Sequence, residues 1–126
     1  MTNNVVLCAD DDEDILSLVA LRLARAGFDV VQATDGEEAV RLARERRPAL
    51  AVLDVMMPKQ TGYEVLAALR GDHAFRELKV ILLSARVQES DVARGIDAGA
   101  DAYLPKPFKA QELVAKVQEL LAPTEP

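Results

Sequence analysis

Short apolar runs alternate one for one with amphipathic stretches along this chain, and that alternation restricts the fold more than any other feature. Val5–Ala9, Asp29–Ala33, Ala49–Leu53, Val80–Leu83 and Ala102–Leu104 read as strands. Glu13–Ala26, Glu37–Arg46, Tyr63–Arg70, Ser90–Ala98 and Lys109–Leu121 read as helices, because their apolar residues recur at helical spacing. In the first helix these are Ile15, Leu18, Val19, Leu21, Leu23 and Ala26. Gly27, Pro48 and Gly99 act as helix stops. A strand, a helix and another strand in succession call for crossovers, which make parallel pairs. The crossovers are right-handed. The expected fold is therefore α/β, a doubly wound (βα)5 sheet of five parallel strands in the common 2-1-3-4-5 order. The continuously apolar Ala49–Leu53 is expected to be buried on both faces.

A length of 126 residues suits one domain with one core, about residues 4–121, leaving 122–126 as a tail or the start of a linker. The net charge of -6 disfavours direct nucleic-acid binding, which needs clustered positive charge. Arg41, Arg44, Arg46 and Arg47 are the local exception, read as the solvated face of a helix. Cys8 is the single cysteine and reads as a small buried hydrophobe, consistent with a reducing compartment. No apolar run approaches the ~20 residues of a membrane span, and no signal pattern opens the chain. The expectation is a cytoplasmic protein.

Ligands bind such sheets beyond the carboxyl ends of the strands, where strand order reverses. Asp10 and Asp11 follow the first strand and Asp54 follows the third, its neighbour in the expected order. Converging carboxylates repel and call for a cation. Oxygen-only ligands on a rigid rim suit Mg²⁺. Helix capping accounts for Asp12 or Glu13, but not for an aspartate that ends a buried strand. Ser84 ends the fourth strand and brings a hydroxyl. Lys106, between Pro105 and Pro107 after the fifth, brings an ammonium held out of any helix. An ionised carboxylate attacks phosphorus without a general base, so the surface position expected for His73, the lone histidine, is no obstacle.

These residues carry a resemblance. The runs Val6–Asp12, Leu53–Pro58 with Gly62, Leu82–Ala85 and Gly99–Phe108 are similar to the receiver domain of bacterial two-component response regulators (the CheY-like superfamily), over about Asn4 to Leu121. Ser84 and Lys106 stand 30 and 52 residues after Asp54, which also fits. The resemblance implies a phosphoprotein with Asp54 as phosphoacceptor. It implies Mg²⁺ bound by Asp10, Asp11, Asp54 and the Met56 backbone carbonyl, with Ser84 and Tyr103 as switch residues. It implies a phosphoryl contact from Lys106 and a cis Lys106–Pro107 bond. The phosphodonor is a histidine kinase, a phosphotransfer protein or a small phosphodonor, and kinase docking is expected at Ile15 and Leu18.

The resemblance further implies a signalling protein rather than an enzyme, acting on an unidentified downstream effector. The chain is read as stand-alone or as a piece of a longer regulator. Ala98, Ala102 and Val92 stand where DNA-binding relatives carry charges on the face formed by the fourth helix, fifth strand and fifth helix, and Lys116 where they carry arginine. That predicts a monomer or a weak phosphorylation-dependent dimer. The loop Lys59–Gly62 lacks the usual Asp before its glycine, which is expected to tune loop shape and not to abolish chemistry. Met56 and Arg86 are expected to crowd the hydrolytic water and prolong the phosphorylated state. A phosphatase or phosphotransferase using an aspartyl phosphate would need an Asp at position 56, where Met stands. A receiver that is never phosphorylated fits poorly with a complete acidic set. A nucleotide site would need a Gly-rich loop after the first strand, which is missing.

Overall fold

The computed structural model describes residues 3–85 and 89–122. The elements run β1 (Val5–Ala9), α1 (Glu13–Arg25), β2 (Asp29–Ala33), α2 (Gly36–Arg46), β3 (Leu50–Asp54), α3 (Gly62–Arg70), a 3₁₀ turn (His73–Phe75), β4 (Lys79–Ser84), α4 (Glu89–Asp97), β5 (Ala102–Pro105) and α5 (Ala110–Leu121). The five strands are all parallel and stand in the order β2-β1-β3-β4-β5. The expected architecture and strand order are both found.

Side chains alternate across the sheet with a period of two. Leu7 and Ala9 of β1, Ala51 and Leu53 of β3, and Val80 and Leu82 of β4 pack with α2 and α3. Val6 and Cys8, Leu50 and Val52, and Ile81 and Leu83 face α1 and α5. Every residue of β3 is buried, as its unbroken apolar run demands. In α1 the buried stripe is Leu16, Val19, Ala20 and Leu23, while Leu18 and Leu21 stay about half exposed. Burial raises the Cys8 thiol to about 12, with the Asp10 charge adding to the rise, so the thiol is inert at neutral pH. His73 is exposed, as expected.

The helix ends use short polar side chains. Asp12 caps α1 by accepting from the amides of Asp14 and Ile15. Asp35 caps α2 through the Glu38 amide. Arg47, at φ 50°, closes α2 directly before Pro48. Thr61 fills the position of the missing Asp: it accepts from the Glu64 amide, and Glu64 accepts from the Thr61 amide. This reciprocal cap starts α3 without a carboxylate. At Gly62 a Cβ would stand 2.6 Å from the Asp54 carbonyl oxygen, so only glycine lets α3 begin this close to β3.

Arg70 at the end of α3 ties down the opposite rim. Its guanidinium donates to the carbonyls of Gly99, Phe75 and Leu78 and to Asp101, whose carboxylate also accepts the Val80 amide. Half-buried carbonyls would lose these donors on truncation, whereas Arg41 on α2 pairs only with exposed or half-exposed glutamates. Arg70→Ala is expected to lower urea-unfolding stability by about 2–3 kcal/mol. Arg41→Ala is expected to cost under about 0.5 kcal/mol. Equal effects would contradict the role of Arg70.

Candidate functional site

The consecutive acids after β1 separate into three tasks. Asp10 turns inward, is buried, and accepts the Asp12 amide at 3.0 Å. Asp11 is exposed at the mouth. Asp12 caps α1. Asp54 is delivered by β3, the neighbour of β1, and is buried at 3% exposure. Carboxylate oxygens of Asp10, Asp11 and Asp54 lie within 4.8 Å of one another. The predicted acidic set therefore converges at the β1/β3 rim, where strand order reverses.

Lys106 reaches the same point from the end of β5. Its Nζ lies 3.0 Å from Asp10 Oδ2 and 3.1 Å from Asp54 Oδ2. The Lys106–Pro107 peptide is cis, and the Lys106 amide donates to the Ser84 carbonyl at 2.8 Å. Ser84 is buried at the end of β4, next to the end of β3. Tyr103 lies in β5, half-buried. Met56 is 67% exposed beside the pocket, and its amide donates to Asp54 Oδ1 at 3.3 Å. Ile15 is half-buried and Leu18 is 51% exposed, both on α1 just beyond the acidic residues. Arg86 lies outside the described residues.

The electrostatics are unbalanced. Burial first, and the Asp10 charge second, push the Asp54 carboxyl up from 3.8 to about 6, while Lys106 opposes the rise. For Lys106, burial favours loss of the proton, but the two carboxylates outweigh it and its pKa moves up. One ammonium thus faces three carboxylates. Asp10 Oδ2 is buried and, although the amine is 3.0 Å away, it makes no directional hydrogen bond. Three carboxylates gathered with a single ammonium leave an oxygen-rich, net-negative cluster, which fits a small hard cation.

Two neighbours of this pocket were not singled out from sequence. Tyr63 at the start of α3 and Arg94 on α4 pack together beside Tyr103, with the Arg94 guanidinium carbon 4.2 Å from the Tyr63 ring centre. An aromatic residue directly after the loop glycine was the only available signal.

The family model "Response regulator receiver domain" matches residues 6–118. The chain is 41% identical over 123 residues to the alkaline phosphatase synthesis transcriptional regulatory protein PhoP of Bacillus subtilis, covering 98% of this chain and 50% of that protein. It is 45% identical over 118 residues to the transcriptional regulatory protein CpxR of Escherichia coli, covering 94% and 49%. The chain spans about half the length of these curated relatives. Its fold superimposes on the chemotaxis response regulator CheY4 of Vibrio cholerae with a TM-score of 0.90 at 32% identity, covering 95% of this chain and all of the other.

A carboxyl raised to about 6 in the fold and near 3.8 in the unfolded chain costs stability above pH 6, and the cost fades as pH falls toward 4. In metal-free buffer at pH 7.5, Asp54→Asn is expected to raise unfolding free energy by about 1–3 kcal/mol. The gain is expected to shrink at low pH, and to shrink when Mg²⁺ stabilises the unsubstituted protein. Urea titrations at two pH values measure this, and a destabilised Asp54→Asn would contradict it.

Proposed function

The chain belongs to the response-regulator receiver family, and from that premise we propose that it takes a phosphoryl group onto Asp54 and passes the change to its α4-β5-α5 surface. The observation that carries this reading is the convergence of Asp10, Asp11 and Asp54 with the Lys106 amine on one rim. The donor is a phosphohistidine of a kinase or phosphotransfer protein, or a small acyl phosphate, encountered in the cytoplasm. An Asp54 oxygen forms the new bond to phosphorus as the donor's bond to phosphorus breaks. The leaving group departs with the electron pair: an imidazole carries a proton on its ring nitrogen, and a carboxylate leaves as the anion. Asp54 needs no base, since its carboxyl is largely ionised at neutral pH even with the raised pKa.

Asp10, Asp11, Asp54 and the Met56 carbonyl would hold Mg²⁺, which would supply the positive charge that lets two anions meet. Lys106 moves from Asp54 to the incoming phosphoryl oxygens, and its raised pKa keeps it a cation. The Ser84 hydroxyl, buried at the adjoining strand end, donates to another phosphoryl oxygen. Tyr103, on the next strand, responds to Ser84 and alters the outer face. Ile15 and Leu18 on α1 offer the donor protein an apolar contact beside the acids. The chain turns over no external phosphoester in this reading.

The relatives named above are transcriptional regulators about twice as long as this chain. We infer that the receiver governs an effector of that kind, attached or separate, without itself touching nucleic acid. A monomer or a weak phosphorylation-dependent dimer suits Ala98, Ala102 and Val92, which stand in place of the charges that DNA-binding relatives carry on the α4-β5-α5 face.

Acetyl phosphate with Mg²⁺ is expected to add one phosphoryl group, read by intact-protein mass, and EDTA or Asp54→Ala is expected to abolish it. Equal labelling of Asp54→Ala would overturn the assignment. With Met56 beside the pocket in the way of the attacking water, the washed, labelled protein is expected to hold phosphate for minutes or longer. A lifetime of seconds would contradict that crowding.

A further inference from the structure

Beside the acidic rim, a cavity of about 160 Å³ is bordered by Met56, Ser84, Tyr63, Tyr103, Asp91 and Arg94. The last four come from three elements, α3, β5 and α4. Tyr63 and Tyr103 are the only tyrosines in the chain, which has no tryptophan. The Tyr63 hydroxyl donates to the Asp91 carbonyl of α4 at 3.4 Å, and the two phenols of Tyr63 and Tyr103 interact across the cavity they both border. Arg94 lies over the Tyr63 ring at 4.2 Å, a cation–π distance. The guanidinium of Arg94 thereby backs the Tyr63 ring from α4. Behind Tyr103, Gly95 of α4 leaves a slot. A Cβ there would come within 2.9 Å of Tyr103 Cδ2 and 3.1 Å of Leu82 Cδ1.

We propose that Tyr63 is a positioning residue for Tyr103: braced by Arg94, it holds the Tyr103 ring in the Gly95 slot and so sets how readily the acidic rim can move α4. This rests on the reading of Ser84 and Tyr103 as the switch and names a further pair of side chains that regulates it. The cavity borders both Ser84 and Tyr103, so the ring has free volume to enter once the hold is released. The hold is a hydrogen bond plus a steric fit. Tyrosine is protonated at neutral pH, and burial, with the Tyr103 hydroxyl next, raises the Tyr63 phenol further, to about 12. Loss of one such neutral hydrogen bond shifts a two-placement equilibrium by about three- to tenfold.

The 126-residue chain, labelled with 3-fluorotyrosine, gives two ¹⁹F resonances that Tyr63→Phe assigns. Spectra are compared with and without Mg²⁺ and beryllofluoride, a mimic of the aspartyl phosphate. In Tyr63→Phe, the Tyr103 resonance is expected to move toward its beryllofluoride position before any addition. Beryllofluoride is then expected to bind about three- to tenfold more tightly. Gly95→Ala, which crowds the ring from the other side, is expected to move the resonance the same way. If the unsubstituted protein responds to beryllofluoride but Tyr63→Phe leaves resonance and affinity unchanged, or weakens binding, the positioning role alone falls. If the unsubstituted protein shows no response, the phosphoacceptor reading falls and takes the positioning role with it.

Discussion

Mutual repulsion among Asp10, Asp11 and Asp54 is the constraint around which the rest of the molecule is arranged. Two of these carboxylates are buried, and all three share a space less than 5 Å across with one ammonium. Such a cluster survives only on a scaffold rigid enough to refuse relaxation. The fully buried β3, the paired β1 and the close start of α3 at Gly62 supply that rigidity. The raised Asp54 carboxyl is the visible sign of the strain, and a cation or a change in the bonding of Asp54 relieves it. Function in this fold therefore draws on an instability that the core can hold in place.

The layered architecture was readable in the residues because the inner strands had to be apolar on two faces and each helix on one. Strand ends differed by a residue or so: β4 begins at Lys79 and β5 runs through Pro105, since ladder hydrogen bonding extends past the apolar run. The acidic site was readable for a different reason. Charged residues at the ends of buried strands have few structural explanations, and three strands supplied them. The division among Asp10, Asp11 and Asp12 was only half legible, because capping and metal binding both ask for aspartate after a strand.

Other features left no such mark. Nothing in the local pattern of Arg70 distinguishes it from a surface arginine, and its carbonyl partners come from three separate segments. The Tyr63–Arg94 stack joins residues far apart in the chain and depends on where α4 settles. These are tertiary facts. The two ends of the sheet thus differ in kind: the carboxyl ends of the strands carry the charge imbalance, and the opposite rim carries the Arg70 clamp. The pair of tyrosines lies between the acidic rim and α4, on the side from which a change at Asp54 would spread.

Anomalous scattering from crystals grown with Mn²⁺ in place of Mg²⁺ addresses the shared-cation claim most directly. One strong peak is expected at the β1/β3 rim, contacted by the carboxylates of Asp11 and Asp54 and by the Met56 carbonyl, with Asp10 adjacent. No peak there, or a peak held only by acids elsewhere on the surface, would contradict it.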